Sequence, residues 1–151
     1  MRTYLVVIDE TEEARLALRF AARRAARTGG NIHLLTVTEK QPFVAWGGVQ
    51  ATIEEEARQR AEAVVAAAAA EVHLETGLTA EVSVRSGDAA TIVREILNED
   101  YEIAALVLGA AASGAPGPLV SHFTGADAGT LPVTVMIVPG SLTLEQLDRL
   151  S

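Results

Sequence analysis

The sequence predicts an α/β domain: a five-stranded parallel sheet in the order 3-2-1-4-5, with helices on both faces. Three observations predict it. Apolar runs of strand length alternate with stretches whose apolar residues recur at helical spacing. Two of those runs, 4–8 and 103–108, show no polar alternation, the pattern of strands covered on both faces, so they belong side by side at the sheet centre. The run ending at Gly109 opens directly into Ala110-Ala-Ala-Ser-Gly-Ala-Pro-Gly117, which has so little bulk that backbone N–H groups can approach a ligand. With the first and fourth strands adjacent, the winding direction reverses between them. Ligands of open α/β sheets bind at such a reversal, outside the carboxyl ends of the strands. Here those ends are Asp9 and Gly109.

The remaining elements follow in order. After Asp9, residues Ala14, Ala17, Leu18, Ala21, Ala22 and Ala25 form one helical stripe, and Gly29-Gly30 ends it. Arg15, Arg19, Arg23 and Arg27 recur every four residues on another face, which reads as solvated. Residues 32–37 form the second strand, and 39–50 a long irregular connection holding Phe43 and Trp46, placed to pass over the crevice mouth as a lid, a partner surface or a hydrophobic plug. Thr52 and Glu55 make a capping box for a long helix buried through Ile53, Ala57, Ala61, Val64, Ala68 and Val72 and stopped by Gly77, with Glu54, Glu55 and Glu56 in its first turn. A short alternating strand at 82–84 is expected at an edge. Asp88 caps a third helix with the stripe Ala89, Ile92, Val93, Ile96 and Leu97. A short helix falls within 118–130, Val133–Val138 is the fifth strand, and 141–151 is an amphipathic helical tail using Leu144, Leu147 and Leu150. The expected organisation is one domain over 1–140 followed by that tail.

Composition narrows the function classes. The chain has 151 residues, 49% of them hydrophobic, enough for a core without disulfides or metal. A formal net charge of -8 with only 4% aromatics argues against nucleic acid or an anionic membrane as partner. There is no cysteine, hence no disulfide, thiolate metal site or cysteine nucleophile. No apolar run is long enough to span a bilayer, and Met1-Arg-Thr-Tyr leads into a strand without a signal-peptide pattern, so a cytoplasmic location is expected.

Taken together, Val6-Val-Ile-Asp9-Glu-Thr11, Gly30-Asn-Ile-His-Leu-Leu-Thr-Val37, Val84-Arg-Ser-Gly-Asp88, Val107-Leu-Gly109 and Pro132-Val-Thr-Val-Met-Ile-Val-Pro139 resemble the universal stress protein family, in order and spacing over about residues 1–139. The resemblance implies a fold similar to the adenine-nucleotide-alpha-hydrolase-like group and a homodimer formed through the last strand, Val133 to Val138. It also implies a stress-response regulator that binds ATP, or ADP or AMP, and allows magnesium with the nucleotide. Nucleotide-binding members carry a glycine, two residues, a second glycine, nine residues, then Gly-Ser or Gly-Thr. This chain departs from that pattern. Counted from Gly109, the second glycine is replaced by Ala112; counted from Gly114 and Gly117, Gly125-Ala126 comes two residues early and Gly129-Thr130 two late.

The candidate nucleotide-binding residues are Ile8, Asp9, Thr11, Val37, Gly109, Gly114, Gly117, Ser121 and His122. Asp9 at the switch point can accept hydrogen bonds from ribose hydroxyls, or cap the first helix. Thr11 is similar to the family's serine and otherwise a helix cap; Val37 is similar to the position whose backbone meets adenine and otherwise core. Gly109, Gly114 and Gly117 form the loop. Ser121 and His122 lie where a hydroxyl and an imidazole can meet phosphate, but with no acid assigned to them they do not make a catalytic set. His33 and His73 show no metal-ligand spacing. Two readings stay open: a regulator that binds an adenine nucleotide, with weak ATPase activity at most, and a dimeric interaction module of the same family that holds none. A nucleotide hydrolase is a distant third, for want of a base–nucleophile pair or a Walker lysine.

Overall fold

The computed structural model describes residues 2–39 and 47–151, the side chains of 47–50 excepted. Phe43 and Trp46 lie outside the described residues. The elements run β1 (Thr3–Val7), α1 (Glu12–Thr28), β2 (Asn31–Thr38), α2 (Gly47–Thr76), β3 (Glu81–Ser86), α3 (Ala89–Glu99), β4 (Ile103–Ala110), α4 (Pro118–Phe123), β5 (Thr134–Pro139) and α5 (Leu144–Leu150), with a 3-10 turn at Ala128–Thr130. All strand pairs are parallel, and the sheet order is β3-β2-β1-β4-β5. The order expected from the two uninterrupted apolar runs is therefore the observed one.

Alternation along each strand divides the core in two. Val6, Leu34 and Val107 face α1, α2 and α5, where Ala17, Ala21, Ala25, Val65, Val72 and Leu147 cover them. Leu5, Leu35 and Leu106 face the other way, under Ile92, Val93, Ile96 and Leu97 of α3 with Val120 and Phe123 of α4. A strand buried on both faces needs apolar residues at successive positions, and this is why 4–8 and 103–108 read as unbroken runs.

The alanine stripe of α1 has a specific consequence: with so little side chain between them, the helix backbone lies against the sheet. A Cβ on Gly109 of β4 would sit 2.1 Å from the carbonyl oxygen of Glu13. Thr11 is the N-cap, its hydroxyl accepting from the Ala14 N–H at 3.3 Å, and Gly29 closes the helix at φ 68°. At α3 the cap is Asp88, which accepts from the Thr91 N–H at 3.0 Å and from the Thr91 hydroxyl; these bonds hold its carboxyl below the usual carboxylate range.

Three expectations are corrected. The helix α2 begins at Gly47, five residues before Thr52, so Thr52 and Glu55 are interior and Glu54, Glu55 and Glu56 are not in its first turn. Gly47-Gly48 open the helix although glycine disfavours helix interiors, a preference that tertiary context readily overrides. Next, the arginine ladder of α1 is not simply solvated. Arg19 forks onto Asp148 of α5, with Nε to Oδ1 and Nη2 to Oδ2 both at 2.8 Å. Arg23 Nε donates to the Ser151 hydroxyl at 3.0 Å and Arg27 Nη1 to the Ser151 carbonyl oxygen at 2.6 Å. The Arg19 guanidinium keeps the Asp148 carboxyl below its ordinary range. Finally, of the three tail leucines expected to be buried only Leu147 is; Leu144 and Leu150 are exposed.

The tail is thus held by the fully buried Leu147, with the half-buried Leu142 packed against the same core, and by charge-assisted hydrogen bonds from α1. Leu147→Ala should cost about 2–5 kcal/mol, the usual range for truncating a fully buried leucine, and should free α5 from α1. Chemical denaturation read by far-UV circular dichroism measures the first, and amide exchange in 144–150 the second. A stability change within error would show that α5 does not contribute to the core.

Candidate ligand crevice

The carboxyl tips of β1 and β4 stand side by side and frame a cavity of about 230 Å³, lined by Ile8, Asp9, Thr11, Val37, Gly109 and Gly117 among others. The main chain of Ile8 is used by the sheet: its N–H donates to Leu35 O at 2.7 Å and its carbonyl accepts from the Thr36 hydroxyl at 3.0 Å. Ile8 therefore offers a rigid wall. Asp9, exposed just beyond it, accepts from the Thr11 N–H at 2.9 Å and the Thr11 hydroxyl, both onto Oδ1. Thr11 caps α1 and Asp9 braces Thr11, which leaves Oδ2 of Asp9, a residue that lines the hollow, without a hydrogen bond among the described residues.

The 110–117 loop is closed on itself by the Ala111 N–H, which donates to Pro116 O at 3.1 Å. Its base is tied to the end of β5 by the Gly140 N–H, which donates to Ala110 O at 2.7 Å. Gly114 and Gly117 take φ of 73° and 120°, a region that suits glycine. Gly117 lines the cavity, whereas Gly114 is exposed and lines none of the cavities around Asp9. Gly109 lines the cavity, but its missing side chain is required first by the α1 backbone pressed against it.

Ser121 and His122 are both exposed on α4. The imidazole Nε2 of His122 is 2.7 Å from Asp127 Oδ2, and its ring meets Phe123 edge-on with centroids 4.8 Å apart. The Ser121 hydroxyl makes no hydrogen bond among the described residues, so no Ser–His relay is assembled. His122 instead lines an outer hollow of about 510 Å³ with Glu39, Asp88 and Leu119. A third hollow, about 220 Å³, shares Asp9 and Val37 with the first and extends to Arg60, Ala61 and Val64 of α2. A further hollow of about 320 Å³ also takes in Asp9, with Arg15, Leu18 and Ala68; small-molecule sites usually exceed about 300 Å³, so the first and third hollows fall short alone. The first hollow shares Ala89, Pro118 and Leu119 with the outer one, and the third shares Glu39 with it. Arg60 and Glu39 were not among the expected site residues. Both line the third hollow, Arg60 between two residues of the expected α2 stripe and Glu39 at the start of a connection read only as irregular.

The chain matches the model of the universal stress protein family over residues 1–139. No curated protein sequence matches it. Among solved structures, the universal stress protein UspA from Lactobacillus plantarum superposes with a TM-score of 0.76 at 17% identity, covering 91% of this chain and 97% of that one. The universal stress protein from Archaeoglobus fulgidus in complex with dAMP gives 0.58 at 13%, covering 91% and 98%. A universal stress protein family protein from Arabidopsis thaliana with AMP bound gives 0.60 at 14%, covering 92% of each chain. At these identities the superpositions establish the fold.

Proposed function

This chain belongs to the universal stress protein family, and we propose that it is a regulatory protein that binds an adenine nucleotide in the crevice between β1 and β4. The observation that carries this reading is the free carboxylate oxygen of Asp9 at the rim of a preformed hollow, where the fold brings the β1 and β4 tips together. In this reading Oδ2 of Asp9 accepts from the ribose hydroxyls and Val37 lies along the base. Thr11, Gly117 and the start of α4 face the phosphate, with Ser121 and His122 at its outer side. Gly109 and Ile8 shape the floor, and Gly114 turns the loop. The dAMP and AMP complexes of two structural neighbours support the ligand class. The rim carries Asp9, Glu10, Glu39 and Asp88 against Arg60 and His122, so a triphosphate would bring magnesium to offset its charge. Weak hydrolysis at most would follow, because no base is aligned on a nucleophile.

The regulatory reading includes a homodimer through β5. This strand is an edge of the sheet, and Ile137 on it is 36% exposed. No helix among the described residues is long and apolar enough to cross a membrane.

Thermal unfolding with AMP, ADP, ATP and cyclic AMP tests the ligand. A saturable rise of a few degrees is expected for at least one of them, since only binding to the native state can raise the midpoint this way. No rise at millimolar nucleotide would sink the proposal and leave the second reading, an interaction module. Sedimentation in the same samples should give twice the 15.9 kDa chain mass; a clean monomer would remove the dimer from the account.

A further inference from the structure

At the opposite end of the sheet, the amino half of β2 carries a histidine that the crevice does not use. His33 is 6% exposed, on the face covered by α3. Its Nε2 lies 2.7 Å from the Ser83 hydroxyl, while its Nδ1 is buried with no hydrogen-bond partner among the described residues. That nitrogen points at carboxylates. Glu81, paired beside His33 in the β2–β3 register, brings Oε2 to 3.8 Å from Nδ1. Asp100, which ends α3, completes the group, and one ligand atom from each residue lies within 4.8 Å of the others.

We propose that His33, Glu81 and Asp100 form a site for a divalent transition cation of the zinc class. In the tautomer in which Nε2–H donates to the Ser83 hydroxyl, the ring lone pair lies on Nδ1, the arrangement by which a metal-ligating histidine is usually oriented. An unpaired buried nitrogen carries a desolvation cost that a bound ion would relieve. Burial, the strongest influence on this ring, pushes its pKa below the ordinary histidine value. Arg85 acts in the same direction, and Glu81 and Asp100 oppose it.

One imidazole and two carboxylates suit zinc, cobalt or manganese better than calcium, which takes oxygen ligands only. Ligand atoms around a tetrahedral ion with ~2 Å bonds lie about 3.3 Å apart. The exposed Glu81 side chain needs only a small swing to close from 3.8 Å. Asp100 keeps Oδ1 on the Glu102 N–H at 3.0 Å, which steadies the carboxylate and leaves its second oxygen for the ion. Water would fill the remaining coordination positions.

Titration of the full chain with cobalt(II), followed by visible absorption and by zinc competition, tests the site. One saturable ion per chain is expected. The double variant Glu81→Gln, Asp100→Asn should weaken it at least about tenfold, and Ser83→Ala about tenfold through loss of ring orientation. In NMR spectra the His33 ring signals should shift first. His73→Gln and His122→Gln should leave binding intact, and the double variant should keep whatever nucleotide response the native chain shows. Both substituted carboxylates are at least partly exposed, so circular dichroism should show an unchanged fold. No saturable binding, or equal affinity in the double variant, would overturn the proposal.

Discussion

Gly109→Ala should destabilise the protein by more than about 3 kcal/mol, above the usual range for an added methyl group, because the clash is with backbone and not with a yielding side chain. The new Cβ would lie 2.1 Å from the carbonyl oxygen and 2.4 Å from the carbonyl carbon of Glu13. Both sides of that contact are rigid. β4 is paired with β1 on one side and β5 on the other, and α1 is pinned by its alanine stripe. Relief would require α1 to lift off the sheet, which would open the crevice as well as loosen the core. Gly129→Ala is the matched control: nothing lies within 4 Å of that site and its φ is not positive, so it should stay within about 0.5 kcal/mol of the native chain. Denaturant titration of the two variants decides the matter. Equal stabilities would show that α1 and β4 are not held as close as described.

Replacing Asp9 should weaken nucleotide binding in two distinguishable steps. Asp9→Asn retains an oxygen for Thr11 but presents an amide to the hollow, exchanging a charged acceptor for a neutral group. Hydrogen bonds to charged groups contribute about 1.5–3 kcal/mol, so calorimetry should show roughly a tenfold or greater loss of affinity with little change in stability. Asp9→Ala removes the brace on Thr11 too, and with it support for the α1 cap. It should lose at least as much affinity and also some stability. Unchanged affinity in both variants would remove Asp9 from the ligand site, whatever else the crevice holds.

The sheet was legible because its signal is local and strong. Runs such as 4–8 and 103–108 cannot be amphipathic surfaces, and their central placement forces the strand order. Asp88 was legible for a similar reason, since a cap acts within three residues. Other features depend on residues distant in sequence. The arginines of α1 look like any charged helix face until α5 returns to place Asp148 and Ser151 against them. Gly109 reads as the start of a ligand loop, and only the proximity of Glu13 reveals its packing role. His33, Glu81 and Asp100 come from two strands and a helix end, with no spacing that marks metal ligands, and parallel pairing brings them together. At the crevice, Asp9 and Gly109 were readable from the switch-point rule, and Thr11 and Val37 from the family resemblance. The engagement of His122 by Asp127 was not, because Asp127 follows in a segment whose helical character was only coarsely visible.

The central claim, that an adenine nucleotide lies across the tips of β1 and β4, is tested most directly by amide NMR of the labelled chain titrated with AMP. Saturable shifts are expected, concentrated at Ile8, Asp9, Thr11, Val37 and Gly117, with His33 and the α5 residues unmoved. Shifts confined to other surfaces, or none at millimolar AMP, ADP and ATP, would contradict it.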